Sequence, residues 1–353
     1  MLKKKLFGQI DGEDVFLFQL SMGSITVEIM NYGCTVVSVF TPDRNGRKQN
    51  IVAGFRYLPQ YESDHPYFGC VVGRYANRIS KGKFALDGET WQLSLNEGSN
   101  HLHGGFSGFN KKVWRIEQEI ETDEQCNVTF CYISEDGEEG YPGNLKVYVS
   151  YRLTHHNCLI IDYSAETDKP TIVSLTNHSY FNLSGFEQES IASHSLQIHA
   201  DSYTKKNIHN TPSGEIKPVL NTPFDFTTPK RIGQHLGELT ADMGYDINYV
   251  LNNNHHTLAE AASLYDPISG RLLTMSTNMP GMQLYTANRW DRTIVGYQDK
   301  AYCQHGAVAL ETQAFPDAPN HPGFPSPVLR PGELYAKTTS FCFQVVKPLA
   351  NTG

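Results

Sequence analysis

The sequence predicts an all-β protein: a single large antiparallel β-sandwich domain spanning residues 1–353. Three observations carry that expectation. Short runs rich in β-branched and aromatic residues dominate, tight polar turns separate many of them, and helical periodicity is scarce. In chain order the strand-like runs are 25–29, 35–40, 113–120, 128–134, 145–154, 158–165, 195–200, 272–276 and 338–346. Asp87-Gly88 sits between the short runs 84–86 and 91–93, and His155-His156-Asn157 joins two long runs. Ser269-Gly270 divides 264–265 from 272–275. Turns this tight join antiparallel neighbours, whereas parallel strands need crossovers of about a dozen residues or more. The best helical stretch is only 231–239. Residues 202–230 and 316–331, the latter with six prolines, read as loops, and loops of that length are functional or disordered. The second follows a strand that ends in a carboxylate, which favours function. No internal repeat and no compositional break marks a linker, so one sandwich is expected rather than two ordinary domains.

Composition narrows the function classes. Lys and Arg total 29 against 37 Asp and Glu, a net charge of −8, and Lys3-Lys4-Lys5 is the only basic run. Neither nucleic acid nor an anionic membrane surface is an expected partner. No stretch approaches the ~18 apolar residues of a membrane helix. Residues 6–10 are interrupted by Gly8 and Gln9 and run into Asp11, Glu13 and Asp14, too short and too charged for a signal peptide. The 7 cysteines (Cys34, Cys70, Cys126, Cys131, Cys158, Cys303 and Cys342) are odd in number and scattered, with no Cys-x-x-Cys. Reduced thiols, a cytoplasmic protein and no zinc ribbon are the expectation.

Four clusters gather polar side chains with glycine or apolar neighbours. Gly73-Arg74-Tyr75-Ala76-Asn77-Arg78-Ile79 offers two guanidinium groups and an amide, planar multi-donors suited to hydroxyls or carboxylates. Alone, the heptad reads first as a structural ion pair at the mouth of a sheet. Asn100-His101-Leu102-His103-Gly104-Gly105, taken as a strand, points both imidazoles to one face, as a metal site requires. No acid follows until Glu117, so a neutral histidine donating to a ligand oxygen beside permissive glycines fits better. Ser174-Leu175-Thr176-Asn177-His178-Ser179-Tyr180-Phe181-Asn182 embeds one histidine among hydroxyls, amides and two aromatics. That is either a polar site with a stacking wall or a buried, satisfied histidine. In Val308-Ala309-Leu310-Glu311-Thr312-Gln313, Glu311 ends an apolar strand. Burial raises the proton affinity of such a group towards the range of a general base; the alternative is an edge-strand salt bridge. Gly244-Tyr245-Asp246-Ile247-Asn248 and Pro280-Gly281-Met282-Gln283-Leu284-Tyr285-Thr286 are lesser features. Phosphate loop, nucleotide fingerprint and Gly-x-Ser-x-Gly elbow are missing. A neutral polyhydroxylated substrate handled by acid–base chemistry is the natural fit.

These motifs resemble those of the aldose 1-epimerase, or galactose mutarotase, family. Residues 73–79 match Gly-Arg-x-Ala-Asn-Arg-Ile, 100–105 match Asn-x-Leu-His-Gly-Gly, and 176–183 match Thr-Asn-His-Ser-Tyr-Phe-Asn-Leu. Residues 310–319 resemble a Glu-Thr-Gln segment with its proline-rich loop, and weaker matches fall at 201–204, 213–216, 222–226 and 282–288. The resemblance keeps its order from Gly23 to Phe343. It implies a β-sandwich of the galactose mutarotase type and an isomerase that interconverts the α and β anomers of free aldohexoses such as glucose and galactose. It implies Glu311 as the general base on the anomeric hydroxyl and His178 as the general acid on the ring oxygen. Asn77, Arg78, His103, Tyr180, Asp246 and Gln283 match the positions around the sugar. A free aldose is the implied partner, with no metal and no organic cofactor. Departures are Ile247 and Ala314, where histidines are common, and Lys205-Lys206-Asn207, where an acid is usual; they bear on sugar preference.

Two other readings stay open on sequence alone. A glycoside hydrolase would use Asp246 and Glu311 as its two carboxylates. A non-catalytic sugar-binding module would keep the pocket without needing both Glu311 and His178.

Overall fold

The computed structural model describes residues 1–347; residues 348–353 of the expected domain lie outside the described residues. Three larger sheets organise the chain, and all their ladders are antiparallel. A five-stranded meander runs through Leu2–Ile10, Glu13–Met22, Ile25–Met30, Thr35–Pro42 and Lys48–Asn50. A nine-stranded sheet has the order Arg115–Glu121, Gln125–Ser134, Leu145–Thr154, Cys158–Thr167, Tyr335–Val345, Arg271–Thr277, Ala259–Tyr265, Ser195–Ile198 and Lys230–Arg231. A six-stranded sheet has the order Tyr180–Phe181, Val308–Gln313, Gly281–Tyr285, Asp246–Val250, Ser202–Lys206 and Pro212–Pro218.

Period-two alternation sets which face each strand buries. Along Leu145–Thr154 the odd residues Leu145, Val147, Val149, Tyr151 and Leu153 are buried, and those between are half-buried or exposed. Phe18 and Leu20 of the first sheet, Phe130 and Val149 of the second, and Leu284 and Leu310 of the third meet in one core. Each such side chain contributes about 1.5–3 kcal/mol through burial. The same alternation positions the site. Along Val308–Gln313, Val308 and Leu310 join that core while Ala309 joins a separate cluster, and Glu311 shares the Ala309 side. Met282 and Leu284 join the core and leave Gln283 opposite; Ile247 and Tyr249 do so beside Asp246.

Several details depart from the sequence expectation. The hairpin Leu2–Ile10 with Glu13–Met22 is hidden in the sequence because Gly8 and Gln9 break its apolar pattern; a register shift between Leu6 and Gly8 absorbs the break. Residues 231–239 form two 3₁₀ turns, Ile232–Gln234 and Leu236–Glu238, rather than a helix. The loop 202–230 contains the strands Ser202–Lys206 and Pro212–Pro218, whose polar exteriors hide them. Reduced thiols need correction for one pair. Strands Cys158–Thr167 and Tyr335–Val345 place Cys158 opposite Cys342, and the two form a disulfide across 184 residues of sequence. Register, which scattered spacing conceals, decides that pairing. The other five cysteines are free.

Candidate active site

Glu311 and His178 lie side by side, with His178 Nε2 3.4 Å from Glu311 Oε2. Both are buried, at 4% and 2% exposure for the histidine and the glutamate. His178 is held by its backbone: its N–H donates to the Cys70 carbonyl (2.9 Å), and its carbonyl accepts from Gly69 (3.0 Å). Gly69 has φ +64°, and a Cβ there would lie 2.0 Å from the Val36 carbonyl oxygen, so only glycine fits. Asn177 fastens the same turn, donating to the Gly69 carbonyl at 2.7 Å and accepting from Ser179. The His178 ring stacks on Tyr180 at 4.8 Å and on Tyr67 at 5.8 Å.

Neither reactive group is saturated. His178 Nδ1 and Glu311 Oε2 have no hydrogen-bond partner despite burial. Burial, reinforced by the Asp246 charge and opposed by Arg78, pushes the Glu311 carboxyl up to about 8. Burial holds the His178 imidazole down at about 3. At neutral pH the pair therefore carries one titrating proton, on the carboxyl.

Asn77, His103 and Arg78 form the opposite wall as an interlocked set. The Asn77 N–H donates to His103 Nδ1 (3.2 Å), and the His103 N–H donates to the Asn77 carbonyl (3.1 Å). Burial first, then the nearby His178 and Arg78, keep His103 neutral by lowering its proton affinity. With Nδ1 accepting, the ring proton sits on Nε2, which is thus a donor. The His103 and His178 rings are 5.3 Å apart. Arg78 grips Glu97 through two bonds, Nε to Oε2 at 2.6 Å and Nη2 to Oε1 at 2.5 Å. Its carbonyl accepts from Asp317 N–H (2.8 Å), so the proline-rich loop braces the wall. Along the sheet, Gln283 pairs in register with Glu311 and donates to Asp246 Oδ1 at 2.5 Å. Lys206 approaches the other Asp246 oxygen at 3.2 Å.

The chain as a whole is similar to known proteins. The family model for aldose 1-epimerase matches residues 17–342. The chain belongs to the aldose 1-epimerase family. It is 42% identical to the galactose mutarotase of Homo sapiens over 346 residues, covering 97% of this chain and 98% of that one. It is 36% identical to the aldose 1-epimerase of Escherichia coli K12 over 342 residues, covering 94% and 96%. Among solved structures, the galactose 1-epimerase from Lactobacillus acidophilus superposes with TM-score 0.86 at 29% identity, covering 98% and 99%. An aldose epimerase homologue from C. elegans gives 0.86 and 29%, covering 94% and 99%.

Within this family member the eight residues expected at the site fall into three positions. Glu311, His178 and His103 bring one ligand-type atom each within 4.8 Å of one another, a buried trio that is also the metal-capable group among the described residues. Asn77, Arg78, Asp246 and Gln283 surround it, and Tyr180, 2% exposed, lies behind His178. Other expected features resolve differently. Arg74 of the heptad is a buried brace, donating to Ser134 and to the carbonyls of Pro142 and Gly143. The strand carrying His101 ends at Leu102, and His103 turns at φ +53°, so the two imidazoles do not share a strand face. His101 instead bridges the Ser94 carbonyl (2.8 Å) and the Tyr141 hydroxyl (2.6 Å). Phe181 points into the main core against Phe341. Sequence reasoning misses Tyr67 and Glu97, because both lie outside the four clusters; only the fold brings them to His178 and Arg78.

Proposed function

We propose that Glu311 and His178 interconvert the α and β anomers of free aldohexoses, such as glucose and galactose, by opening and reclosing the sugar ring. The protein is an isomerase, an aldose 1-epimerase. In the reactive tautomer the pair's single proton sits on His178 and Glu311 is ionised; Glu311 then takes the proton of the anomeric hydroxyl as its electron pair forms the C1 carbonyl. The C1–O5 bond breaks, and His178 gives O5 its proton. Rotation about C1–C2 exposes the other face, and closure returns both protons. Ring opening leaves the carboxyl protonated and the imidazole neutral, the form that burial favours at this pair. Arg78, Asn77, His103, Asp246 and Gln283 hold the hydroxyls, and Tyr180 supports the acid by stacking.

The observation that carries the reading is the buried contact of 3.4 Å between an unsaturated carboxyl and an imidazole, on a chain of this family. Polarimetry on freshly dissolved α-D-glucose and α-D-galactose tests it. Faster equilibration without cleavage of an aryl glycoside supports the epimerase. Cleavage with no anomeric effect indicates a hydrolase, and binding without acceleration indicates a non-catalytic module.

A one-domain organisation belongs to the same proposal, because the site draws on residues from Asn77 to Glu311. So does a cytoplasmic location, supported by the free-sugar substrate; the five free cysteines agree with it and the Cys158–Cys342 disulfide does not. No described helix is long and apolar enough to cross a membrane.

A further inference from the structure

Four adjacent strands of the six-stranded sheet carry a continuous polar row that ends on a lysine. Gln283 stands directly across from Glu311, and Asp246 lies diagonal to Gln283, because Asn248 is the residue opposite it. The ladder of Ser202–Lys206 against Asp246–Val250 pairs Ser202 with Val250 and Tyr203 with Tyr249. Carried three residues further, that register sets Lys206 beside Asp246. The neighbouring lysine points elsewhere: Lys205 is 49% exposed and pairs with Glu215 on the outer strand.

We infer that Lys206 is a positioning residue, clamping the Asp246 carboxylate so that it stays ionised and aimed at a hydroxyl of the bound sugar. This rests on Asp246 being a sugar ligand. Lys206 Nζ lies 3.2 Å from Asp246 Oδ2 and 2.9 Å from Asp242 Oδ2, with only 15% of its side chain exposed. Gln283 Nε2 occupies the other Asp246 oxygen at 2.5 Å. The carboxylate is thus fixed from both sides, by a neutral donor towards Glu311 and by a cation towards the sheet edge.

The charged surroundings give the lysine this task. Facing Asp246 are Lys206 and Asp242 on the edge side, Arg78 from the opposite wall, and Glu311, His178, Tyr180 and Tyr285 from the sheet. Arg78 is already engaged by Glu97 through two bonds. Burial pushes Asp246 towards protonation, yet the charges of Lys206 and Arg78 with the hydrogen bonds from Lys206 and Gln283 outweigh it and lower its proton affinity. An ionised carboxylate accepts hydrogen bonds and donates none, so it requires a hydroxyl donor at one sugar position. A deoxy sugar lacking that hydroxyl leaves a remaining acceptor position of a desolvated carboxylate unfilled, which is why such a site discriminates.

Steady-state polarimetry on wild type, Lys206→Met, Lys206→Arg and Asp246→Asn, between pH 5 and pH 8, tests the inference with glucose and its 2-, 3-, 4- and 6-deoxy analogues. Lys206→Met should raise KM about tenfold with kcat within about threefold, the loss expected for one charge-assisted hydrogen bond. The KM defect should grow as pH falls, because Asp246 without its lysine protonates at higher pH. Lys206→Arg should restore KM to within about twofold by keeping the charge. The penalty for one deoxy analogue should shrink in Lys206→Met and in Asp246→Asn, and the two substitutions together should add little. An unchanged KM in Lys206→Met, or a Lys206→Arg variant of normal thermal stability that is equally impaired, overturns the assignment. Glu311→Gln, run in parallel, separates the two levels: full activity there overturns the acid–base reading itself, whereas its loss beside a normal Lys206→Met overturns only the role of the lysine.

Discussion

On one face of the sheet that carries Glu311, the side chains of Leu310, Leu284 and Ile247 pack into the main core. One residue along each strand, on the other face, stand Glu311, Gln283 and Asp246. The apolar face is closed and dry. The polar face keeps Glu311 Oε2, Gln283 Oε1 and His178 Nδ1 buried without partners. A buried polar atom left unpaired costs about 1–3 kcal/mol. The contrast teaches that the site is an energetically unfavourable surface held in place by the favourable surface on its reverse.

Substitutions on the two faces should therefore separate activity from stability. The largest effect belongs to the polar face: Glu311→Gln and His178→Asn should each lower kcat by at least ~100-fold while sugar binding persists, as for lost general acid–base groups. Near-wild-type turnover in either would falsify that residue's role. Across the sheet, Leu284→Ala should destabilise the fold by about 2–5 kcal/mol, measured by denaturant unfolding, because it opens a cavity in the core.

The pH dependence sharpens the comparison next. The competent pair shares one proton, and that proton is lost above about 8, where Glu311 ionises; kcat/KM reports this ionisation. Wild-type kcat/KM, corrected for spontaneous mutarotation, should fall tenfold per pH unit above that point; a profile flat to pH 10 overturns the assignment. Stability is lost in the same direction, over a lower range of pH. Glu311 has its proton affinity raised by folding, from 4.5 to about 8, so its contribution is complete below 4.5 and is lost as pH rises to about 8. Glu311→Gln should gain thermal stability over wild type across that window and stay level beyond it. A constant difference from pH 4 to pH 9 contradicts the buried-carboxyl account.

The smallest effect on catalysis belongs to a histidine that only neighbours the site in sequence. His101→Phe should lower the melting temperature by stripping the Ser94 and Tyr141 bonds, yet leave kcat/KM within about threefold, since it removes a structural hydrogen bond and not a reacting group. His103→Phe, two residues on, should lose activity as well as the bond from the Asn77 N–H. Equal activity losses at both positions erase the distinction between the two imidazoles.

How far such distinctions are legible in the chain depends on what local pattern encodes. Alternating β-branched residues and tight turns are local, so the strand-rich antiparallel class and most central strands can be read directly. The outer part of the six-stranded sheet is harder: the strands Ser202–Lys206 and Pro212–Pro218 have no apolar face to advertise, and the 3₁₀ turns within 231–239 mimic a short helix. At the site, Glu311 and His178 stand out as ionisable groups inside apolar or amide-rich runs, an imbalance that local sequence displays. Arg74 and Arg78 share one motif, and nothing local says that the first braces carbonyls while the second meets Glu97.

Local composition is enough to show that strands dominate, which residues alternate, and that carboxylate, imidazole and amide groups recur in otherwise apolar runs. Those properties are fixed by side-chain chemistry and a two-residue period. Tertiary structure decided which groups meet: that Glu311 lies beside His178, that Tyr67 stacks on the imidazole, that Cys158 faces Cys342, and that Lys206 meets Asp246. Each meeting joins residues between 40 and 184 positions apart. Strand register over such distances is a collective result of core packing, and no short motif contains it.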